Sequence, residues 1–191
     1  MKTIKKIGKS ITLFGMICFL VLSVGISASA ESVSIPKAGN FDDLVKVDAL
    51  NVNAEIYINP DYKEDVYFII DNNKYIIDDN ELVKEELTKE EYMPQFGTYG
   101  TSTWYATLGN SETSGKHYLV GAGTSTQFST YGPAEHRRMI VYDPNWNIIS
   151  TVKGNEGGIV MVTKARVTGE HGFYLQNMSA SSNFYRCEVK F

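Results

Sequence analysis

Residues 138–152 read RMIVYDPNWNIISTV. Apolar and β-branched residues occupy the two ends of this segment, and its centre, Asp143-Pro144-Asn145, has the composition of a tight turn. The segment therefore predicts a β-hairpin with strands over residues 139–142 and 148–152. The rest of residues 93–191 alternates between short β-prone runs and Gly, Pro or Asn turns, at a spacing of about 8–12 residues that is typical of antiparallel sandwiches. The further predicted strands cover residues 104–108, 117–120, 159–167, 172–177 and the run that begins at Phe184.

Residues 31–92 differ from this pattern and predict a small acidic α+β segment. Runs rich in Val, Ile and Tyr predict strands over residues 52–58, 66–70 and 74–77. Asp79 or Asn80 is a suitable N-cap, and the acidic residues that follow favour a short helix over residues 81–92. A proline follows at position 94, and prolines end helical patterns. The predicted domains are therefore residues 31–92 and residues 93–191.

Residues 1–30 have the three parts of an export signal. A basic start with four lysines is followed by an apolar stretch over residues 11–26. Ser27-Ala28-Ser29-Ala30 comes next and has the small-residue pattern that signal peptidase accepts. We therefore expect residues 1–30 to be a signal peptide that is cleaved after Ala30. The mature protein would be secreted and extracellular, without a stable membrane span.

The net charge argues against nucleic acids and anionic membrane surfaces as partners. The chain carries 18 Lys and Arg against 22 Asp and Glu. Residues 1–30 hold four of the lysines and no acid, so residues 31–191 have a formal charge of −8. A chain with that charge is a poor candidate for binding nucleic acid or an anionic membrane surface. Most of the negative charge lies before residue 92, and the last hundred residues are close to neutral.

The residue patterns give little support for catalysis. No Gly-x-Ser-x-Gly elbow is present in the sequence. His117, His136 and His171 lack the spacing of metal ligands, and we interpret them as exposed turn residues. Cys187 falls on the apolar face of the last predicted strand, which indicates a buried and inert thiol. The sequence therefore predicts that the chain is not an enzyme.

Residues 143–147 match the first half of an oxygen-rich calcium loop, Asp-x-Asn-x-Asn. Ile148 stands where such a loop has Gly, and Gly154 stands where it has a bidentate Glu. We interpret the segment as a plain hairpin turn and expect no cofactor. Calcium is the one ion whose binding this partial match would still allow.

Aromatic residues are the best sequence signal for a binding surface. They crowd residues 99–185, and several fall in predicted loops, where their rings can stack on sugar rings or pack against a partner. Two adjacent arginines near one of these loops predict a local cationic patch for an anionic polymer such as a cell-wall component. The candidate binding residues are Tyr99, Phe128, Tyr131, Arg137, Arg138 and Trp146.

Residues 165–191 read ARVTGEHGFYLQNMSASSNFYRCEVKF. A glycine precedes the aromatic pair Phe173-Tyr174, which opens a strand; Asn177 leads into a Ser-rich loop, and a closing strand follows. This stretch of 27 residues resembles the end of the jelly-roll-like β-sandwich modules of exported bacterial proteins, of the pre-peptidase C-terminal type. The resemblance implies an accessory module that binds a surface or carbohydrate, or that assists export.

Together these observations predict a mainly β protein, in which an antiparallel, jelly-roll-like β-sandwich is preceded by a small acidic α+β segment with one short helix. The function that we expect is that of a secreted, non-catalytic binding module of a bacterial type, for cell-surface or carbohydrate ligands. One alternative is a secreted toxin-like or antagonistic factor that acts on membranes. A second alternative is a small secreted hydrolase.

Overall fold

The computed structural model describes residues 40–49, 53–86, 100–133, 136–154 and 158–191. Strands make up most of these residues, and the helical turns among them are two short 3-10 turns, Phe41–Asp43 and Pro60–Asp65. In chain order the strands are β1 (Val45–Val47), β2 (Ala54–Ile58), β3 (Val66–Ile70), β4 (Asn73–Asp78), β5 (Glu81–Glu85), β6 (Thr101–Leu108), β7 (Thr113–Val120), β8 (Ser125–Tyr131), β9 (Arg137–Tyr142), β10 (Ile148–Gly154), β11 (Val160–Lys164), β12 (Gly169–Asn177) and β13 (Asn183–Lys190).

The strands form two antiparallel sheets. Sheet I has the order β1-β2-β10-β9-β12-β7, and sheet II has the order β5-β4-β3-β11-β8-β13-β6. Successive side chains of a strand point to opposite faces, so each sheet has one apolar face that packs against the other sheet. Most buried apolar residues of both sheets form one continuous core between the sheets, and a smaller cluster lies on the outward face of sheet I. The mainly β, sandwich-like fold that the sequence predicts is confirmed.

The core between the sheets follows from this alternation. On β6, Trp104, Ala106 and Leu108 are buried, whereas the residues between them are exposed. The Trp104 ring is stacked on the Phe128 ring of β8, with centroids 6.0 Å apart. Cys187 is fully buried in the same core, as predicted, and burial raises the pKa of its thiol to about 12.

The helix predicted from residue 81 is wrong over the part that the structure describes. Residues 81–85 form strand β5, which pairs antiparallel with β4. The turn before β5 explains the difference. Asp79 and Asn80 have φ angles of 43° and 66°, the left-handed conformations of a two-residue hairpin, whereas an N-cap residue is extended. Residues 87–92 of the predicted helix lie outside the described residues.

Strand β8 is missing from the sequence prediction. The pattern assigns residues 125–131 to no strand and places Phe128 and Tyr131 in loops, but the structure has both on β8. The sequence pattern of a strand is weak here because the inward neighbours of Phe128 are threonines, Thr126 and Thr130, rather than apolar residues. The hydroxyl of Thr126 is hydrogen-bonded at 2.9 Å to the hydroxyl of a threonine on β11, and this bond offsets the cost of burying it.

Strands from both sides of the predicted domain boundary belong to the same two sheets. β2 pairs with β10 in sheet I, and β3 pairs with β11 in sheet II. The hydroxyl of Tyr62, in the 3-10 turn before β3, also donates a hydrogen bond of 2.6 Å to the carboxylate of Asp143, in the turn after β9. The boundary itself, after residue 92, lies outside the described residues.

Candidate binding surface

Three neighbouring strands of sheet II carry aromatic side chains on the face that points away from the core. β13 lies between β6 and β8. The register places Arg186 of β13 opposite Tyr105 of β6 on one side and opposite Tyr131 of β8 on the other. Phe184 precedes Arg186 by two residues and therefore lies on the same face. These four side chains share one surface because directly opposed residues of antiparallel strands point to the same side.

The aromatic rings of this surface are exposed. The exposed fraction is 56% for Tyr105, 59% for Phe184 and 48% for Tyr131. The rings of Tyr105 and Phe184 are parallel, with centroids 5.9 Å apart and planes 13° apart. The Arg186 guanidinium carbon lies 4.9 Å from the centre of the Tyr131 ring, in a cation–π contact. We call Tyr105, Phe184, Arg186 and Tyr131 the aromatic platform.

The local sequence of two strands explains why these rings point outward. On β6 the core takes Trp104 and Ala106, so Tyr105 between them must face solvent. On β13 the core takes Tyr185 and Cys187, and the positions that alternate with them face outward. The remaining outward positions of β6 are threonines, Thr101, Thr103 and Thr107, which leave hydroxyl groups beside the rings.

The charged groups beside the platform are largely paired. The carboxylate of Glu188 contacts the Arg186 guanidinium at 2.5 Å and the Lys190 ammonium at 3.3 Å. The Arg186 side chain nevertheless remains 43% exposed, although its Nε is buried and its Nη2 donates to Glu188. Because the one carboxylate compensates one of these two cations, the platform offers mainly ring stacking and hydrogen bonds rather than a strong electrostatic field.

The structure places the candidate binding residues predicted from the sequence in different environments. Tyr131 belongs to the platform. Phe128 lies in the core, with an exposed fraction of 0%, and packs against the Phe173 ring at 5.7 Å. It cannot contact a ligand, so its assignment to the binding surface is wrong. Tyr99 lies outside the described residues.

The cationic patch predicted from Arg137, Arg138 and Trp146 is wrong as an assembly. Arg137 and Arg138 are adjacent on β9, so their side chains point to opposite sides of sheet I. Arg137 is buried and donates a hydrogen bond of 3.2 Å to the carbonyl oxygen of Gly132, and burial lowers the pKa of its guanidinium. Arg138 lies on the outward side, with its guanidinium carbon 4.9 Å from the centre of the Phe41 ring. Trp146 lies beyond the other end of β9.

Trp146 is part of an aromatic cluster on the outward face of sheet I. Its ring centroid is 4.6 Å from that of His117, 5.8 Å from that of Tyr142 and 6.4 Å from that of Tyr174. Tyr142 and Tyr174 are buried together with two isoleucines of β9 and β10. Because these rings pack against each other, the cluster offers a ligand less free ring surface than the platform does.

Two local features hold this cluster in place. The Tyr174 ring lies over Gly115 of β7, where a Cβ atom would come within 2.3 Å of the ring, and the Tyr174 hydroxyl is hydrogen-bonded to Nε2 of His117. The Tyr142 hydroxyl is buried and has no hydrogen-bond partner among the residues that the structure describes. Burial, together with the nearby Tyr174, raises the pKa of Tyr142 to about 12.

The three histidines occupy different environments. His136 is exposed in a turn, as predicted, and His117 is exposed but lies on strand β7. His171 is buried on β12, with an exposed fraction of 3%, and its Nδ1 is 3.1 Å from the Gly169 carbonyl oxygen, so its interpretation as an exposed turn residue is wrong. Within the described ranges, no group of three or more His, Cys, Asp or Glu side chains is placed to hold a metal ion.

The segment that resembles half of a calcium loop is a hairpin turn between β9 and β10, as predicted. Oδ1 of Asp143 accepts hydrogen bonds from the backbone amides of Asn145, at 2.9 Å, and Asn147, at 2.8 Å. Oδ2 of Asp143 accepts hydrogen bonds from the Asn147 side chain, at 3.0 Å, and from the Tyr62 hydroxyl. The carboxylate is thus used to close the turn.

A cavity of about 600 Å³ opens on the outward face of sheet II, near the Ser125 end of β8. Its walls include Lys63, Lys164 and Lys74, the last of which pairs with Glu85 at 3.0 Å. They also include acidic residues, and of these Asp65 is ion-paired with an arginine of the loop after β11. Because both signs of charge are present, the cavity indicates no single class of ligand.

No family model and no curated protein matches this chain. Solved structures that match include a periplasmic inhibitor of g-type lysozyme from Aeromonas hydrophila, at 13% identity over 49% of this chain and 87% of that chain, with a TM-score of 0.41. They also include dTDP-4-dehydrorhamnose 3,5-epimerase from Sulfolobus tokodaii, at 9% identity over 78% of this chain and 76% of that chain, with a TM-score of 0.36. A sugar 3,4-ketoisomerase from Thermoanaerobacterium thermosaccharolyticum matches at 12% identity over 66% of this chain and 82% of that chain, with a TM-score of 0.33. These scores are too low to support an argument about function.

One sequence prediction is corrected at this point. The sequence predicts that the chain is not an enzyme, but two of these three matched structures are an epimerase and an isomerase. The prediction that the chain is not an enzyme is withdrawn. The resemblance of residues 165–191 to pre-peptidase C-terminal modules is not tested by these matches and stays a prediction.

No helix in the described part of the chain is long and apolar enough to cross a membrane.

Proposed function

We propose that this protein is a secreted binding protein that holds a carbohydrate of a cell surface or cell wall on the aromatic platform. The observation that carries the proposal is the parallel pair of Tyr105 and Phe184, whose rings are 5.9 Å apart and more than half exposed. Exposed aromatic residues that lie together, rather than singly, mark interaction sites on soluble proteins.

The chemistry of the platform suits a sugar better than a purely apolar partner. A sugar ring has C–H groups that pack on the face of an aromatic ring, and hydroxyl groups around its edge that need hydrogen-bond partners. The platform provides both kinds of contact, because its rings are bordered by the partly exposed Arg186 side chain and by Thr107, opposite Phe184. Insertion into the hydrocarbon interior of a membrane would leave these polar groups without partners.

Secretion is part of the same proposal. It depends on the export pattern of residues 1–30. Because an exported protein is in contact with the cell surface and cell wall, a carbohydrate of either is a ligand that it can reach. The negative charge of residues 31–191 lies mostly before residue 92, so it does not keep the platform away from a glycan.

The experiment is a pull-down of the mature protein on insoluble polymers, namely purified bacterial cell wall, chitin and cellulose. We expect the wild-type protein to be depleted from solution by at least one of them. The double variant Tyr105→Ala/Phe184→Ala should lose this binding, because it removes both parallel rings and leaves the core residues of β6 and β13 unchanged.

The matched control is Leu119→Ala. Leu119 is 74% exposed on β7 of sheet I, so this variant removes an exposed apolar side chain from the opposite face of the sandwich and should bind as the wild type does. The proposal fails if the double variant, shown by circular dichroism to be folded, is depleted as strongly as the wild type. It fails also if none of the three polymers depletes the wild type.

A further inference from the structure

The register of sheet II fixes the spacing of the two ends of the platform. Tyr105 lies opposite Arg186, and Arg186 lies opposite Tyr131, so the two tyrosines are separated by two strand spacings. At about 4.7–4.9 Å between neighbouring strands, their backbones are about 9–10 Å apart. This distance is larger than one sugar ring can cover.

Tyr105, Arg186 and Tyr131 form a row across the three strands, and these three positions differ in chemistry. At one end Tyr105 and Phe184 together present two parallel rings, and at the other end Tyr131 presents one ring, backed by the Arg186 guanidinium. Between the two ends Arg186, whose side chain is 43% exposed, has N–H donors and no acceptor; its Nη2 donates to Glu188 and its Nε is buried. The order along the row is therefore stacking surface, donor, stacking surface.

From this order we infer that the ligand is an extended glycan chain of several sugar units that crosses β6, β13 and β8 at about a right angle to the strands. This inference depends on the proposed function, because it assigns the ligand of the same platform. One sugar unit packs on Tyr105 and Phe184, and a later unit packs on Tyr131. An oxygen of the chain between them accepts a hydrogen bond from Arg186.

Such a chain predicts that affinity depends on length. A single sugar can use only one end of the row, whereas a longer oligomer gains the second stacking contact without a second loss of translational freedom. The Tyr131 ring should therefore matter only for oligomers that reach it. The rings of Tyr105 and Phe184 should matter at every length.

The experiment is isothermal titration calorimetry of the mature protein with chito-oligosaccharides, from the monosaccharide to the hexasaccharide. For the wild type we expect the affinity to rise with length and then to level off once the chain spans the row. Tyr131→Ala should lower the affinity for the hexasaccharide about tenfold, the effect of losing one stacked ring, and leave that for the disaccharide unchanged. Leu119→Ala should follow the wild type at all lengths.

Two results would overturn the inference. One is a wild-type affinity that is the same for the disaccharide and the hexasaccharide, with no effect of Tyr131→Ala. The other is the absence of binding at every length. In both cases the pull-down with Tyr105→Ala/Phe184→Ala decides the proposed function separately, because that assay depends on the paired rings and not on the length of the ligand.

Discussion

Tyr105 and Phe184 hold their rings parallel across two neighbouring strands, with centroids 5.9 Å apart, and both side chains stay more than half exposed. They meet along the diagonal, because Phe184 lies opposite Thr107 and Tyr105 lies opposite Arg186. A cross-strand aromatic pair stabilises a sheet by only about 0.2–1 kcal/mol. The exposed pair therefore contributes little to folding, and its apolar area is available to a ligand.

The buried hydroxyl of Tyr142 is expected to destabilise the protein. It has no hydrogen-bond partner among the described residues, and an unsatisfied buried polar group costs about 1–3 kcal/mol. Tyr142→Phe removes the hydroxyl and keeps the ring packing, so we expect the free energy of unfolding in urea to rise by about 1 kcal/mol. Tyr174→Phe is the matched control, since its hydroxyl is bonded to His117 and its loss should not stabilise the protein. A lower stability of Tyr142→Phe would contradict this account of the cluster.

Stability should fall at alkaline pH. Burial raises the pKa of Cys187 to about 12 from its ordinary value of 9.0, and that of Tyr142 to about 12 from 10.0. Both groups lose their protons more readily in the unfolded chain, so their contribution is fully present below pH 9 and is lost as the pH rises toward 12. We expect the free energy of unfolding to fall over this window by up to about 1.4 kcal/mol per pH unit for each group.

Chemical denaturation between pH 8 and 11 measures this effect. Tyr142→Phe removes one of the two groups, so its free energy of unfolding should fall less steeply above pH 10 than that of the wild type. Stability that stays constant up to pH 11 would show that these groups are not buried as described. In the same samples, the Cys187 thiol should react with a thiol reagent only when the chain unfolds.

The carboxylate of Asp143 organises the turn between β9 and β10. It accepts hydrogen bonds from two backbone amides of the turn and from the Tyr62 hydroxyl, and it is 4% exposed. Asp143→Ala leaves these donors without an acceptor, so we expect a loss of about 2 kcal/mol in the free energy of unfolding. Asp78→Ala, at an exposed position of β4, should change it little. Equal effects of the two substitutions would contradict the role assigned to Asp143.

Calcium should not stabilise the protein. A calcium ion in the turn would have to take Asp143 away from the donors that it already serves, and the later positions of a calcium loop are Ile148 and Gly154. We therefore expect no change in the melting temperature at millimolar calcium, measured against the same protein in a chelator. A rise in the melting temperature that Asp143→Ala abolishes would place an ion at this turn.

Local sequence was sufficient for much of the fold. Alternation and turn residues gave the strands around the Asp143 turn, and the burial of Cys187 followed from the same alternation. Strand β5 could not be predicted, because Asp79 and Asn80 suit a helix cap as well as a hairpin, and pairing with β4 decides between them. Strand β8 could not be predicted because its inward threonines are not apolar and Ser129, between Phe128 and Thr130, is buried as well.

Local sequence could not predict the aromatic platform, for a different reason. Tyr131 was a candidate, but Tyr105 and Phe184 are far apart in the chain and become neighbours only through the pairing of β6 with β13. Likewise, Arg186 lies between two tyrosines only because β13 has β6 on one side and β8 on the other. Composition shows that aromatic residues are abundant here, whereas the register of long-range strand pairs determines which of them share a surface.

The measurement that tests the central claim most directly is a binding isotherm of the mature protein on purified bacterial cell wall, compared between Phe184→Ala and Leu119→Ala. Both variants remove one exposed apolar side chain, from sheet II and sheet I respectively, and the free energy of unfolding of both should stay within about 1 kcal/mol of the wild type. We expect Phe184→Ala to weaken binding about tenfold and Leu119→Ala to leave it unchanged. Equal affinities of the two variants and the wild type would contradict the claim that the protein binds through the aromatic platform.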